Sequence, residues 1–268
     1  MGATANVLVG VAEITVGVGY SAVVIGYTVD GVNMSIRSSM ADIKVEENEG
    51  TIIRKLIDQE VSVTLNVAEG TLANLAAAIP GNDLTGAVLT LGGSDLQEHR
   101  LTLKGLDPAG YPRVIVLTSV NPTGEVTTPY KKGEVSVVPM TFSALVDDSS
   151  EFGTVLDGAA IAPTLTVGAS TKSKADGTII EAKFSASMAS PVGKHLEFWF
   201  TEADFATSPR YFSAAALHGG DDTIIDLTVD GVAITVGKAL TLSYRLGSVT
   251  SAALGILGSF AAQTVVPR

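Results

Sequence analysis

The chain has 268 residues, 46% hydrophobic and 17% charged, which excludes disorder and leaves room for one large domain or two modest ones. It has no cysteine, which excludes a disulfide framework, a thiolate zinc site and a cysteine nucleophile. The net charge of −11 falls almost wholly in residues 1–160, with 19 acidic against 9 basic there and 9 against 8 afterwards; this excludes nucleic-acid binding by phosphate neutralisation, which needs clustered Lys and Arg.

The N-terminus lacks a basic n-region, so no signal peptide is expected. Residues 6–29 are mostly apolar, yet they contain Glu13, several glycines and many β-branched residues. Two strands around a Gly17-Val18-Gly19 turn are expected there, rather than a membrane helix. Gly17-Val-Gly19-Tyr-Ser-Ala22 fits a dinucleotide-binding pattern, but that chemistry needs a helix to start at this point, and Val23 to Val29 reads as a strand. Asp30-Gly31 predicts a tight hairpin turn. Val32, Met34 and Ile36 then alternate with polar residues, as on a half-buried strand.

Residues 39–57 lose that alternation and gather Asp42, Lys44, Glu46, Glu47 and Glu49, followed by Arg54 and Lys55. A long charged loop or a projecting hairpin is expected, and these seven residues are the candidates for contacts between subunits. Alternation resumes at Val61, Val63, Leu65 and Val67. A helix is predicted next, with Thr71 as its cap, Leu72, Leu75, Ala76 and Ile79 on one face, and Pro80-Gly81 as its stop. Leu101 and Leu103 mark another strand, and Arg113 to Val120 reads as a strand buried on both faces. Residues 135–145 form a further β-rich run, where Pro139 argues for an edge position or a bulge.

Gly158 to Pro163 is small, uncharged and closed by proline, which places a domain boundary near 158–164. Alternating strands then follow at Ile180–Phe184, Leu196–Phe200, Ile225–Val229 and Leu240–Tyr244. Turn signals at Ala175-Asp176-Gly177, Gly219 to Asp222 and Asp230-Gly231 separate them, and the spacing predicts a β-sandwich. Gly231 to Ala239 resembles a phosphate-binding loop only loosely, and a strand followed by a turn is the better reading. His99, His195 and His218 have no His or Cys neighbour at metal-ligand spacing. Asp176, Asp221 and Asp222 could serve calcium, but no complete ligand loop surrounds them. No G-x-S-x-G elbow is present. No catalytic residue, cofactor or metal is therefore expected.

An ordered set of short motifs resembles the phage tail tube proteins. It begins with Asn6-Val-Leu-Val-Gly-Val-Ala12, Gly26-Tyr-Thr-Val-Asp-Gly31-Val32 and Asp42-Ile-Lys-Val-Glu46. It continues through Glu60 to Glu69 and Leu72-Ala-Asn-Leu75. It ends with Pro122-Thr-Gly-Glu-Val126, Tyr130-Lys-Lys-Gly-Glu134 and Val138-Pro-Met-Thr-Phe142-Ser-Ala-Leu-Val-Asp147. Each motif is weak alone; their order and spacing over residues 5–160 carry the likeness. In the second half, Ala175-Asp-Gly-Thr-Ile-Ile180 and Leu240-Thr-Leu-Ser-Tyr244 are similar to bacterial immunoglobulin-like domains, a likeness of fold that implies no ligand.

The resemblance implies a mainly β chain. Residues 1–160 would be a tail tube sandwich or barrel with one α-helix, and residues 161–268 an outer immunoglobulin-like sandwich. It implies a non-enzymatic virion protein, made in the host cytoplasm, whose hexameric rings stack into a tube for DNA ejection. The expected partners are further copies of the chain, the tape measure, the tail terminator and the distal tail or baseplate proteins. DNA would pass along an acidic lumen without specific binding, and no membrane is involved. A secreted or surface binding module of two β domains is the alternative, and a β-rich enzyme acting on carbohydrate a third reading.

Overall fold

Strands dominate, as the Val, Thr and Ile content predicts. The computed structural model describes residues 13–18, 21–44, 51–93, 96–127, 137–158, 162–203, 208–245 and 247–267. In the first half these form β1 (Glu13–Val16), β2 (Val23–Ile25), β3 (Thr28–Lys44), β4 (Thr51–Val67), α1 (Leu72–Ala78), β5 (Asn82–Thr85), β6 (Val88–Leu91), β7 (His99–Leu106), β8 (Pro112–Thr123), β9 (Val138–Leu145) and β10 (Gly153–Asp157). The second half adds β11 (Gly168–Ser173), β12 (Ile179–Lys183), β13 (Phe198–Glu202), β14 (Phe212–His218), β15 (Asp221–Val229), β16 (Leu240–Tyr244) and β17 (Phe260–Val266).

The first half builds an eight-stranded, curled sheet in the order β2-β1-β7-β8-β9-β4-β3, with β10 also on β8. β8 is long enough to hold two partners in tandem along one edge. Ser119 to Thr123 pair with β9, and Arg113 to Leu117 pair with β10. β9 and β10 therefore lie end to end, separated by an excursion whose turn is tied by Asp147, which accepts from the amides of Ser149 and Glu151. Gly153 permits the close approach, since a Cβ there would stand 2.0 Å from the Val116 carbonyl oxygen.

β4 pairs with β9 only over Ser62–Val67. Burial follows that pairing: Val61, Val63, Leu65 and Val67 are buried, while residues 53–60 are exposed on both faces. α1 packs over β2, β8 and β9, and its Ala77 and Ala78 join Ile14, Val63, Leu101, Val120, Met140 and Phe142 in one core.

Several expectations are corrected. Asp30-Gly31 is no hairpin turn; it is a two-residue bulge inside β3, between the pairs Val29–Asn66 and Val32–Leu65, with both residues at positive φ. α1 buries Asn74, Ala77 and Ala78, whereas Leu72 is exposed. Asn74 donates from its side chain to the Glu69 carbonyl and from its amide to the Thr71 hydroxyl, so the polar residue on the inner face is held by hydrogen bonds. Pro139 sits in an interior strand, but β8 pairs with β9 only from Thr141 onward, so at the proline β9 has a single neighbour, β4. Gly231 to Lys238 forms turns and no strand; the buried Ile234 of that stretch bonds through its amide to the Gly177 carbonyl.

The second half forms a seven-stranded sheet, β13-β16-β17-β11-β12-β15-β14. Its strands line a single core that includes Ile180, Phe198, Phe200, Phe212, Leu227 and Tyr244. One core shared by both ends of one sheet requires the sheet to fold over itself. β11 is the switch, parallel to β17 and antiparallel to β12. The path thus runs β13-β16-β17 on one side of that switch and β11-β12-β15-β14 on the other. Strands of the first sheet end at Asp157 and those of the second begin at Gly168.

Candidate assembly surface

Beyond the last pairing with β9, β3 and β4 continue as a two-stranded ribbon. Its outer edges are free on both sides among the described residues, because β3 ends the sheet and β4 has no second neighbour over 51–61. An isolated two-stranded ribbon is marginal in water, and exposed strand edges template pairing with another chain.

The ribbon is also apolar. Met40 stands opposite Leu56, and Ile43 opposite Ile53. The register shift between Ser39 and Met40 leaves Ile57 as the extra residue, 67% exposed. Ile36 at the ribbon's base is 55% exposed and faces a groove of about 410 Å³ against β10, lined also by Met34, Val61, Ile115, Phe152 and Val155. The groove opens where β4 leaves the sheet. Met40 and Leu56 share one face of the ribbon and Ile43 and Ile53 the other, so both faces present apolar groups beside a free edge.

The charged candidates take different places. Asp42 and Arg54 are cross-strand partners joined by a forked pair, Nε to Oδ1 at 2.6 Å and a terminal nitrogen to Oδ2 at 3.1 Å. The guanidinium holds the Asp42 carboxyl below the usual carboxylate range, and Thr51 adds a hydroxyl donor. The two charges thus satisfy each other within the ribbon. Lys55 is exposed opposite Ala41, and the Lys44 backbone pairs with Thr51. Glu46, Glu47 and Glu49 lie outside the described residues, as do Asn6 to Ala12 and Tyr130 to Glu134 of the motif set. The charge-led reading missed Met40, Ile53, Leu56 and Ile57, whose density in a segment without helical or core periodicity was the available signal; Ile36 ends the alternating run and is exposed where a half-buried strand was expected.

A second feature joins the halves. Arg100 of β7 reaches Glu197 at 2.7 Å. Glu197 is nearly fully buried and also accepts from the Ser248 amide and hydroxyl and from the Tyr244 hydroxyl. Burial and the Glu197 charge push the Tyr244 hydroxyl well above its ordinary range. Arg245 lies over the Trp199 ring and donates to the Ala22 carbonyl. Val114, Val116 and Ile256, with Leu156, add an apolar contact across the joint. The ionic contact is inside the molecule, where removing one partner strands the other.

No protein-family model matches the chain, and no curated protein matches it.

Proposed function

We propose that the chain is a structural subunit that self-assembles, and that the assembly is a phage tail tube. The observation that carries self-assembly is the apolar β3–β4 ribbon, both of whose edges are free among the described residues. The phage identity rests on the ordered motifs over residues 5–160. A contact between two different surfaces closes into a ring when its rotation closes, and rings that stack give a filament. Pairing of free edges between neighbours removes the exposed strands from water and continues the sheet around the ring.

In this reading the first half forms hexameric rings and the wall of the conduit. Its acidic excess faces DNA that must slide past without sticking, since like charges repel phosphate. The second half decorates the outside, held by the Arg100–Glu197 contact. The tape measure, terminator and distal tail proteins would meet the ends of the tube. No step in this function needs a catalytic group or cofactor.

Negative-stain electron microscopy of the concentrated full chain tests the reading. Hollow tubes or stacked rings of uniform diameter, bearing outer knobs, are the expected result. Compact monomers that persist when tail initiator proteins are supplied would favour a two-domain binding module, a reading that the immunoglobulin-like motifs of the second half would also suit.

A further inference from the structure

On the outer face of the second sandwich, three potential ligands from three strands converge. Glu181 of β12 is the direct cross-strand partner of Asp226 on β15. Asp226 lies opposite Ala216 of β14, and His218, two residues further along that strand, turns its ring onto the Asp226 carboxylate. Its Nδ1 lies 3.0 Å from Oδ1 and 3.1 Å from Oδ2. One ligand atom from each of Glu181, His218 and Asp226 lies within 4.8 Å of the others. Residues 181, 218 and 226 show no metal-ligand spacing along the chain, so only the fold brings them together.

Two carboxylates facing each other across a strand pair repel unless something neutralises them. Lys172 approaches Glu181 at 3.4 Å, and Lys174 approaches Asp226 at 3.9 Å. Both are long for charge-assisted hydrogen bonds. The Glu181 side chain is only 9% exposed, yet Lys172 is its one ion-pair partner among the described residues. A carboxylate this buried with one distant cation has acceptor capacity left over. Both lysines keep partly exposed side chains, so both ammonium groups can swing into solvent.

We infer that Glu181, His218 and Asp226 form a site for a divalent transition metal of the zinc class. Neutral imidazole and two carboxylates are a suitable nitrogen and oxygen donor set, with water as the fourth ligand. Tetrahedral bonds of about 2.0 Å place neighbouring ligand atoms about 3.3 Å apart. The His218–Asp226 spacing already matches, and Glu181 closes the remainder by rotating its side chain. Binding releases any proton on Nδ1 and displaces the two lysines. The ion ties β12, β14 and β15 together on the exposed side of the sandwich. This inference does not depend on the tail tube reading.

The test uses the full chain stripped of metal with a chelator. Zn²⁺ is titrated in competition with a chromophoric indicator. One equivalent per chain is expected, with affinity lowered at least about 10-fold in His218→Ala and Glu181→Gln, since even losses outside the ligand shell cost that much. His99→Ala and His195→Ala should bind as the parent does. Co²⁺ added to the parent chain should shift the ring resonances of one histidine, and that resonance should survive in both His99→Ala and His195→Ala. This second readout does not require the ligand variants to fold. Absence of a stoichiometric Zn²⁺, equal affinity in His218→Ala, or a Co²⁺-shifted resonance that vanishes in His99→Ala or His195→Ala would overturn the site. Glu181, His218 and Asp226 would then be an ion-pair network only.

Discussion

The two halves of the molecule solve the same problem in opposite ways. Each is a β-sheet that must cover its apolar face and manage its edges. The second half folds its sheet over, so that Phe198, Phe200 and Phe212 from one region meet Ile180 and Leu227 from another. Even the short edge strand β13 is covered, because Arg210 exchanges backbone hydrogen bonds with Phe200. The first half covers the base of its sheet with α1 and then runs β3 and β4 out into solvent, with Met40, Leu56 and Ile57 uncovered. The difference separates two tasks. A closed sandwich stabilises itself, whereas in the proposed assembly the open ribbon would be covered by a neighbouring copy.

The contrast is sharpened first in the cores. Phe142→Ala in the first half and Phe200→Ala in the second should each destabilise by about 3–5 kcal/mol, since both side chains are fully buried. Denaturant unfolding followed by far-ultraviolet circular dichroism measures both. The single tryptophan, Trp199, lies on β13 beneath Arg245, so its fluorescence reports the second half and the joint. Coincident tryptophan and circular dichroism transitions in Phe142→Ala would show that the halves unfold as one unit.

The joint comes next. Arg100→Met should cost about 3 kcal/mol, because the buried Glu197 carboxyl loses its ion-pair partner. The same unfolding curves, together with proteolysis near residues 158–164, check this. An unchanged curve would mean that the apolar patch around Ile256 holds the halves together without the ionic contact.

A smaller effect follows from acid. The Thr223 hydroxyl and amide, and then Lys183, hold the Asp221 carboxyl at about 2, below its ordinary 3.8. A depressed folded-state value stabilises above about 3.8 and is lost as pH falls towards about 2. Thermal midpoints read by Trp199 fluorescence should therefore fall over that window in the parent, and less steeply in Asp221→Asn. The smallest effect is expected at Asp42→Asn, where an exposed pair is lost from the ribbon and the thermal midpoint should not move.

Much of the architecture was legible wherever one face of a strand is buried. Val61 to Val67, Ile180 to Phe184 and Leu240 to Tyr244 alternate because each packs one face on a core. The Thr71 cap was legible because its hydroxyl must meet a free helix amide. β14 escaped notice because its Ala214-Ala215-Ala216 run carries no β-branched residue and no alternation. Asp30-Gly31 misled because positive φ serves a bulge as well as a turn. At the ribbon, charge drew attention to Asp42 and Arg54, which satisfy each other, and away from the isoleucines and Met40. Periodicity reports burial within one chain, and the ribbon's apolar residues, exposed in this chain, carry no such trace.

The most direct test of the account compares the parent chain with a Met40→Ser, Leu56→Ser, Ile57→Ser variant by sedimentation velocity and electron microscopy at equal concentration. The parent should form large, regular assemblies. The variant should sediment as a monomer and keep the parent's far-ultraviolet circular dichroism and Trp199 emission, because these exposed side chains contribute to neither core. Assemblies of the same size and shape in the variant would contradict the claim that the ribbon is where the subunits meet.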